Sequence, residues 1–146
     1  MEKRAKVVIF CGGKGTRLKE QTEFIPKPLV QIGDMPVVWH IMKIYHAQGY
    51  KDFVLCLGYK GYLIKDFFLN YLNHHTDLTL DLGKRKIVRL NGPQEDWKVS
   101  LIDTGQENMT SKRLHLVKEH LDQEDYFMLT YGDGVSNINI KELLKF

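Results

Sequence analysis

The chain alternates short β-branched apolar runs with segments whose apolar residues recur at helical spacing. Lys6 to Cys11 (KVVIFC) predicts a strand buried on both faces, and it stops abruptly at Gly12, Gly13 and Gly15. From Pro36 onward, Val38, Ile41, Met42 and Tyr45 fall on one helical face, and Gly49 closes the segment. Proline at the start and glycine past the end is the expected punctuation of a helix. Asp52 to Leu57 (DFVLCL) predicts a second buried strand, followed by Gly58 and Gly61. Ile64, Phe67, Phe68 and Tyr71 then mark another amphipathic helix, with the aromatic cluster as its core face. Leu78, Leu80 and Leu82 alternate with polar residues, which predicts a strand with one wet face. Further strands are expected at Ile87 to Leu90 and Lys98 to Asp103, around a polar loop at Asn91 to Asp96.

Thr110 to Leu121 carries Leu114, Val117 and Leu121 at helical spacing, and Asp125 to Tyr131 reads as an apolar strand running into Gly132, Asp133 and Gly134. Asn139 followed by Glu142 resembles a capping box opening a helix, although only two turns at most fit before Phe146. Such a helix is marginal on its own and leaves Leu143, Leu144 and Phe146 without a partner, so we expect the chain to be the front part of something longer. Strands alternating with helices of about a dozen residues predict an α/β fold. The expected architecture is a single Rossmann-like domain over residues 1–146, with a mostly parallel mixed sheet and helices on both faces.

Composition narrows the class without changing that picture. The 146 residues are 43% hydrophobic and 27% charged, as in folded globular proteins. A surplus of three positive charges (21 Lys plus Arg against 18 Asp plus Glu) is too small and dispersed to imply nucleic-acid or membrane binding. It suits a protein that handles a small anion. The apolar runs are far too short for a membrane span or a signal peptide, so a cytoplasmic location is expected. Cys11 and Cys56 have neither framework nor ligand spacing and read as reduced, buried thiols.

The chemistry concentrates after the first strand. CGGKGTRL (Cys11 to Leu18) stands where an α/β sheet delivers a strand end, the place where such folds put ligands. Glycines allow a tight curl that aims several N–H groups at one anion; Thr16 adds a hydroxyl, and Lys14 and Arg17 add cations. A Walker loop is excluded because Gly15 follows Lys14, and a dinucleotide fingerprint because position 18 is Leu18. A plain glycine-rich turn is the structural alternative. Lys27 lies between Pro26 and Pro28, which predict a stiff extended strap rather than a helix; the alternative is a solvated loop lysine. Asp133, between two glycines at a strand end, suits a Mg²⁺ ligand or an ordinary Asp-Gly turn. His40, His46, His74 and His75 show no ligand spacing. Ser100, Ser111 and Ser136 lack the context of a nucleophile.

GGKGTRL followed by IPKPLVQIGDMPVVWHIM resembles the signature of the sugar-phosphate nucleotidyltransferases, GGxGTRL then PKP. WHIMKIY, GYKGYLIKDFF, LIDTG, MTSKRL and TYGDGV narrow the resemblance to the glucose-1-phosphate cytidylyltransferase subfamily, over essentially the whole chain. The resemblance implies transfer of a cytidylyl group from CTP to glucose 1-phosphate, giving CDP-glucose and pyrophosphate, with Mg²⁺ as cofactor and a homo-oligomeric assembly. It implies catalytic roles for Arg17 and Lys27 and a metal-binding role for Asp133. Substrate contacts are implied for Phe10, Cys11, Gly12, Gly13, Lys14, Gly15, Thr16, Arg17, Lys27, Asn108, Arg113 and Gly132. Where the family usually has two glycines, this chain has Ser111 and Lys112. The family's second metal-binding Asp lies nearer the C-terminus and has no counterpart here, so a catalytically inactive binding module is the alternative expectation. Related chemistry with another base or sugar phosphate is a second one.

Overall fold

In the computed structural model, which describes residues 5–13, 25–106, 108–122, 125–135 and 139–145, β1 (Lys6–Cys11) lies at the centre of the main sheet. β4 (Asp52–Leu57) and β8 (Phe127–Tyr131) flank it in parallel, and β7 (Lys98–Asp103) adds to β4, giving the order β7-β4-β1-β8. Val7 stands opposite Phe53 on one side and Met128 on the other. With partners on both edges and layers on both faces, β1 has no place for water. Its Val7, Val8 and Ile9 are fully buried, which accounts for the unbroken apolar run.

The two faces are read out by alternation. Val7, Ile9, Cys11, Phe53, Leu55 and Leu57 face one layer, made by α1 (Val37–Ala47), α2 (Gly61–Leu69) and α5 (Ile140–Leu143). Val8, Phe10, Val54 and Cys56 face the other, where Val117 and Leu121 follow α4 (Thr110–Leu116). The expected helices on both faces are thus present. Residues 110–121 form α4 followed by a 3₁₀ turn at Lys118–His120 rather than one helix. The second predicted helix also breaks, at Asn70, leaving α3 (Tyr71–His75) as a separate turn. Asn139 does cap α5, its side chain accepting from the Glu142 N–H, and Leu143 and Leu144 are exposed as expected.

The main sheet is wholly parallel among the described residues, and antiparallel pairing occurs in two separate ribbons. These are β2 (Gln31–Ile32) with β3 (Met35–Pro36), and β5 (Asp77–Asp81) with β6 (Lys86–Leu90). The Leu78, Leu80, Leu82 alternation does mark a strand, but every residue of β5 and β6 is exposed, so neither face of that ribbon is covered. Alternation reports a face chemically suited to burial; it does not supply the surface that buries it.

A parallel sheet delivers all its strand C-termini to one edge. Here that edge carries Cys11, Leu57, Asp103 and Tyr131, followed by Gly12–Gly13, Gly58, the Thr104–Asn108 loop and Gly132–Asp133.

Candidate active site

The strand ends are tied together before any ligand arrives. Thr104 donates both its backbone N–H (2.8 Å) and its hydroxyl (2.9 Å) to the Leu57 carbonyl. The Tyr59 N–H reaches the Gly12 carbonyl at 3.4 Å, and the Gly132 N–H reaches that of Phe10 at 2.9 Å. Gly132 is packed so closely that an added Cβ would stand 3.0 Å from both Cys11 Sγ and the Pro28 ring. That close approach, not backbone conformation, is what favours glycine there.

Arg113 completes the knot. Although it belongs to a short helix, it is 5% exposed, and its guanidinium turns inward across the strand ends. Nε donates to the Asn108 carbonyl at 2.9 Å, and Nη1 to Thr104 Oγ1 at 3.0 Å and the Leu57 carbonyl at 3.4 Å. Nη2 donates to the Gln106 carbonyl at 3.2 Å and the Gly12 carbonyl at 3.4 Å. A buried guanidinium held by carbonyl oxygens and a hydroxyl satisfies its N–H groups while keeping its full positive charge. Gly12 and Gly58 leave room for it. A Cβ on Gly12 would lie 1.8 Å from Nη1, and one on Gly58 2.8 Å. Asn108 donates to the Thr104 carbonyl across Gly105, whose φ of +83° is the left-handed geometry that favours glycine.

Above this knot opens a cavity of about 320 Å³, lined by the two glycines, Lys27, Asn108, Arg113 and Asp133, with Phe10, Met109 and Tyr131 as apolar wall. Phe10 and Tyr131 meet edge to face at 5.7 Å. Lys27 is held by a 3₁₀ turn (Lys27–Leu29) rather than the extended strap expected from its flanking prolines. Pro26 is extended and caps the turn, while Pro28 falls at a turn-opening position where no N–H is needed. The segment is stiff all the same, because Pro28 is buried and Leu29 N–H closes back on the Pro26 carbonyl at 2.9 Å. The Lys27 ammonium lies 3.5 Å from Asp133 Oδ2.

Of the residues singled out in the sequence, Phe10, Cys11, Gly12, Gly13, Lys27, Asn108, Arg113 and Asp133 all line this cavity, and Gly132 lies directly beside Cys11. Lys14, Gly15, Thr16 and Arg17 lie outside the described residues. Tyr131, Met109 and Thr110 also line the cavity but were not singled out. Their trace in the sequence was motif membership alone, Met109 and Thr110 opening MTSKRL and Tyr131 standing before the Gly-Asp-Gly turn. Cys11 and Cys56 are free thiols buried against the sheet. Burial pushes the Cys56 thiol up to about 11, against a smaller opposing pull from the Arg113 charge. Burial, reinforced by Cys56, pushes Cys11 far above the ordinary thiol range. Both stay protonated at neutral pH, so neither serves as a nucleophile.

The donor set fits a magnesium ion of one kind only. Among the described residues no group of three or more His, Cys, Asp or Glu side chains could hold a metal ion. Mg²⁺, however, is commonly held by one or two carboxylates plus water and substrate phosphates. Asp133, partly exposed in the cavity wall, can supply one such carboxylate.

The nucleotidyl transferase family model matches residues 6–146. The chain belongs to this family. Among nucleotidyl transferases it is 46% identical to the glucose-1-phosphate cytidylyltransferase of Salmonella typhimurium, over 97% of this chain and 55% of that protein. A probable glucose-1-phosphate cytidylyltransferase of Bacillus subtilis is 48% identical, again over 97% of this chain and 55% of the relative. The chain thus spans about half the length of these relatives. The crystal structure of HddC from Yersinia pseudotuberculosis superposes with a TM-score of 0.67 at 25% identity, covering 97% of this chain and 53% of HddC. LicC, the CTP:phosphocholine cytidylyltransferase of Streptococcus pneumoniae, superposes with a TM-score of 0.52 at 26% identity, over 81% of this chain and 41% of LicC. The α/β nucleotidyl transferase fold expected from the sequence is therefore present. No helix among the described residues is long and apolar enough to cross a membrane.

Proposed function

We propose that this protein transfers a cytidylyl group from CTP to glucose 1-phosphate. A phosphate oxygen of the sugar phosphate attacks the α-phosphorus of CTP, the bond from that phosphorus to the bridging oxygen breaks, and pyrophosphate leaves. The observation that carries this reading is the cavity at the β1 and β8 strand ends, with its glycines, a buried guanidinium and a stiffly mounted lysine. It is joined to 46–48% identity with glucose-1-phosphate cytidylyltransferases.

The chemical difficulty is electrostatic, since an anion must approach a polyanion while charge builds on the leaving group. Fixed positive charge at a defined place is the remedy. Arg113 is locked to five acceptors and so cannot follow the substrate; it supplies a standing positive potential beneath the cavity floor. Lys27, on its proline-bounded turn, is placed to hold a phosphate oxygen, and Arg17 in the glycine loop is assigned the leaving phosphates. Gly12 to Thr16 are assigned the triphosphate cradle. Asn108, in the loop beside Met109, is placed to contact the nucleoside. When bound, Mg²⁺ would be held by Asp133 and would neutralise phosphate charge.

Homo-oligomeric assembly and a cytoplasmic location belong to the same proposal. Pyrophosphate release with glucose 1-phosphate and Mg²⁺, compared across CTP, UTP and dTTP, tests the substrate assignment. CTP is expected to be preferred by at least an order of magnitude in kcat/KM; equal rates with UTP would overturn the assignment of the base.

A further inference from the structure

The Lys27–Asp133 pair brings together two groups that the proposed reaction needs for different anions and cations. Lys27 comes from the 3₁₀ turn after the glycine loop and Asp133 from the turn after β8. They meet 3.5 Å apart in the cavity wall, with 21% and 46% of their side chains exposed. Asp133 is the only carboxylate lining the cavity among the described residues. Of the two cations lining it among the described residues, Arg113 is committed to carbonyls and the Thr104 hydroxyl, and Lys27 is the one that lies against Asp133. An oxygen held by an ammonium is a poor ligand for a dication, and ammonium and dication repel at this range. Phosphate oxygens offer Lys27 another partner.

We propose that Lys27 and a divalent cation hold Asp133 in alternation: the ammonium guards the carboxylate in the nucleotide-free protein and vacates it when phosphate oxygens take the ammonium. The proposal rests on the assignment of Asp133 as metal ligand. Lys27 then weakens metal binding to the empty protein and competes less for Asp133 once phosphate oxygens hold the ammonium, a coupling that is reciprocal by linkage. The device discourages a metal ion from settling before the nucleotide.

Titration of nucleotide-free protein with Mn²⁺, followed by electron paramagnetic resonance of the free ion, tests this directly. Work in about 0.3 M KCl screens charges more than about 6 Å apart, so that contact-range effects dominate. Lys27→Gln is expected to bind Mn²⁺ about three- to tenfold more tightly than wild type, the scale of a partly exposed ion pair plus relieved repulsion. Unchanged or weaker binding by Lys27→Gln overturns the alternation. Asp133→Asn is expected to bind Mn²⁺ more weakly than wild type. If Asp133→Asn instead binds Mn²⁺ as wild type does, the metal-ligand assignment itself fails, whatever Lys27→Gln shows. Thermal melts of both variants verify that each is folded, as their exposure predicts.

Discussion

Gly12→Ala probes the knot beneath the cavity with the least possible change, one methyl group. That methyl would stand 1.8 Å from Arg113 Nη1 and 2.3 Å from Cζ, so the guanidinium has to leave. Arginine is flexible, and at an exposed site it would simply move aside. Here it is 5% exposed and bonded to Gly12, Leu57, Thr104, Gln106 and Asn108. Each charge-assisted bond is worth roughly 1.5–3 kcal/mol when well made. Three of them converge near the methyl, to the Gly12 and Leu57 carbonyls at 3.4 Å and to Thr104 Oγ1 at 3.0 Å. The two long ones count for less. The Leu57 carbonyl also keeps its two bonds from Thr104, and the expelled guanidinium can regain water in the cavity. The net loss is therefore about 2–4 kcal/mol, or about 6–15 °C in Tm for a chain of this size. Gly13→Ala is the control, since nothing lies within 4 Å of its Cβ position; it should cost less than about 0.5 kcal/mol. Urea and thermal unfolding read both, and an Arg113→Met background closes the cycle, because there the Gly12→Ala penalty should fall by at least half. Equal melting of Gly12→Ala and wild type, or a penalty that persists unchanged without the guanidinium, would refute the reasoning.

Further expectations follow from the same geometry and sequence. Arg17→Ala should weaken CTP binding by about 1.5–3 kcal/mol if its contact with the leaving phosphates is charge-assisted, and unchanged affinity in calorimetry would remove it from that role. Native protein should not react with a disulfide reagent at pH 8, whereas both thiols should react in denaturant; a fast native thiol would contradict the burial of Cys11 and Cys56. Because the Cys56 pKa rises from its ordinary 9.0 to about 11 on folding, the unfolded chain loses that proton first. Stability should therefore fall as pH rises from about 9 toward 11, and Cys56→Ser should reduce that slope in urea titrations without abolishing it, because Cys11 is raised as well.

Much of the sheet could be read from the chain because its signals are local. KVVIFC and DFVLCL are apolar on both faces, and a strand with layers on both sides requires that. Pro36 and Gly49 bracket α1 for backbone reasons that need no tertiary context; Gly49 has a φ of +97°. The β5–β6 ribbon shows the limit. Its leucines alternate as in a half-buried strand, yet coverage depends on a surface elsewhere, which periodicity does not encode. The glycines, Lys27 and Asp133, singled out from the sequence alone, meet around one cavity. Arg113 was legible only as a cation near the site. An arginine in a short polar helix reads as a surface residue, and its inward course depends on space left by Gly12 and Gly58, which are 101 and 55 residues away in sequence. The prolines around Lys27 correctly signalled stiffness but not its form, since the same φ restriction serves an extended strap and the opening of a 3₁₀ turn.

Calorimetric titration of CTP into wild type and Lys27→Ala, with Mg²⁺ present, tests the central claim that the cavity at the β1 and β8 ends is the triphosphate site. Lys27 is part of a partly exposed pair, so its removal should cost less than about 1 kcal/mol of stability and leave the fold intact. Loss of one charge-assisted phosphate contact predicts CTP binding weakened by about 1.5–3 kcal/mol, roughly 10- to 150-fold. CTP affinity equal to wild type in a folded Lys27→Ala variant would place the triphosphate elsewhere and contradict the account.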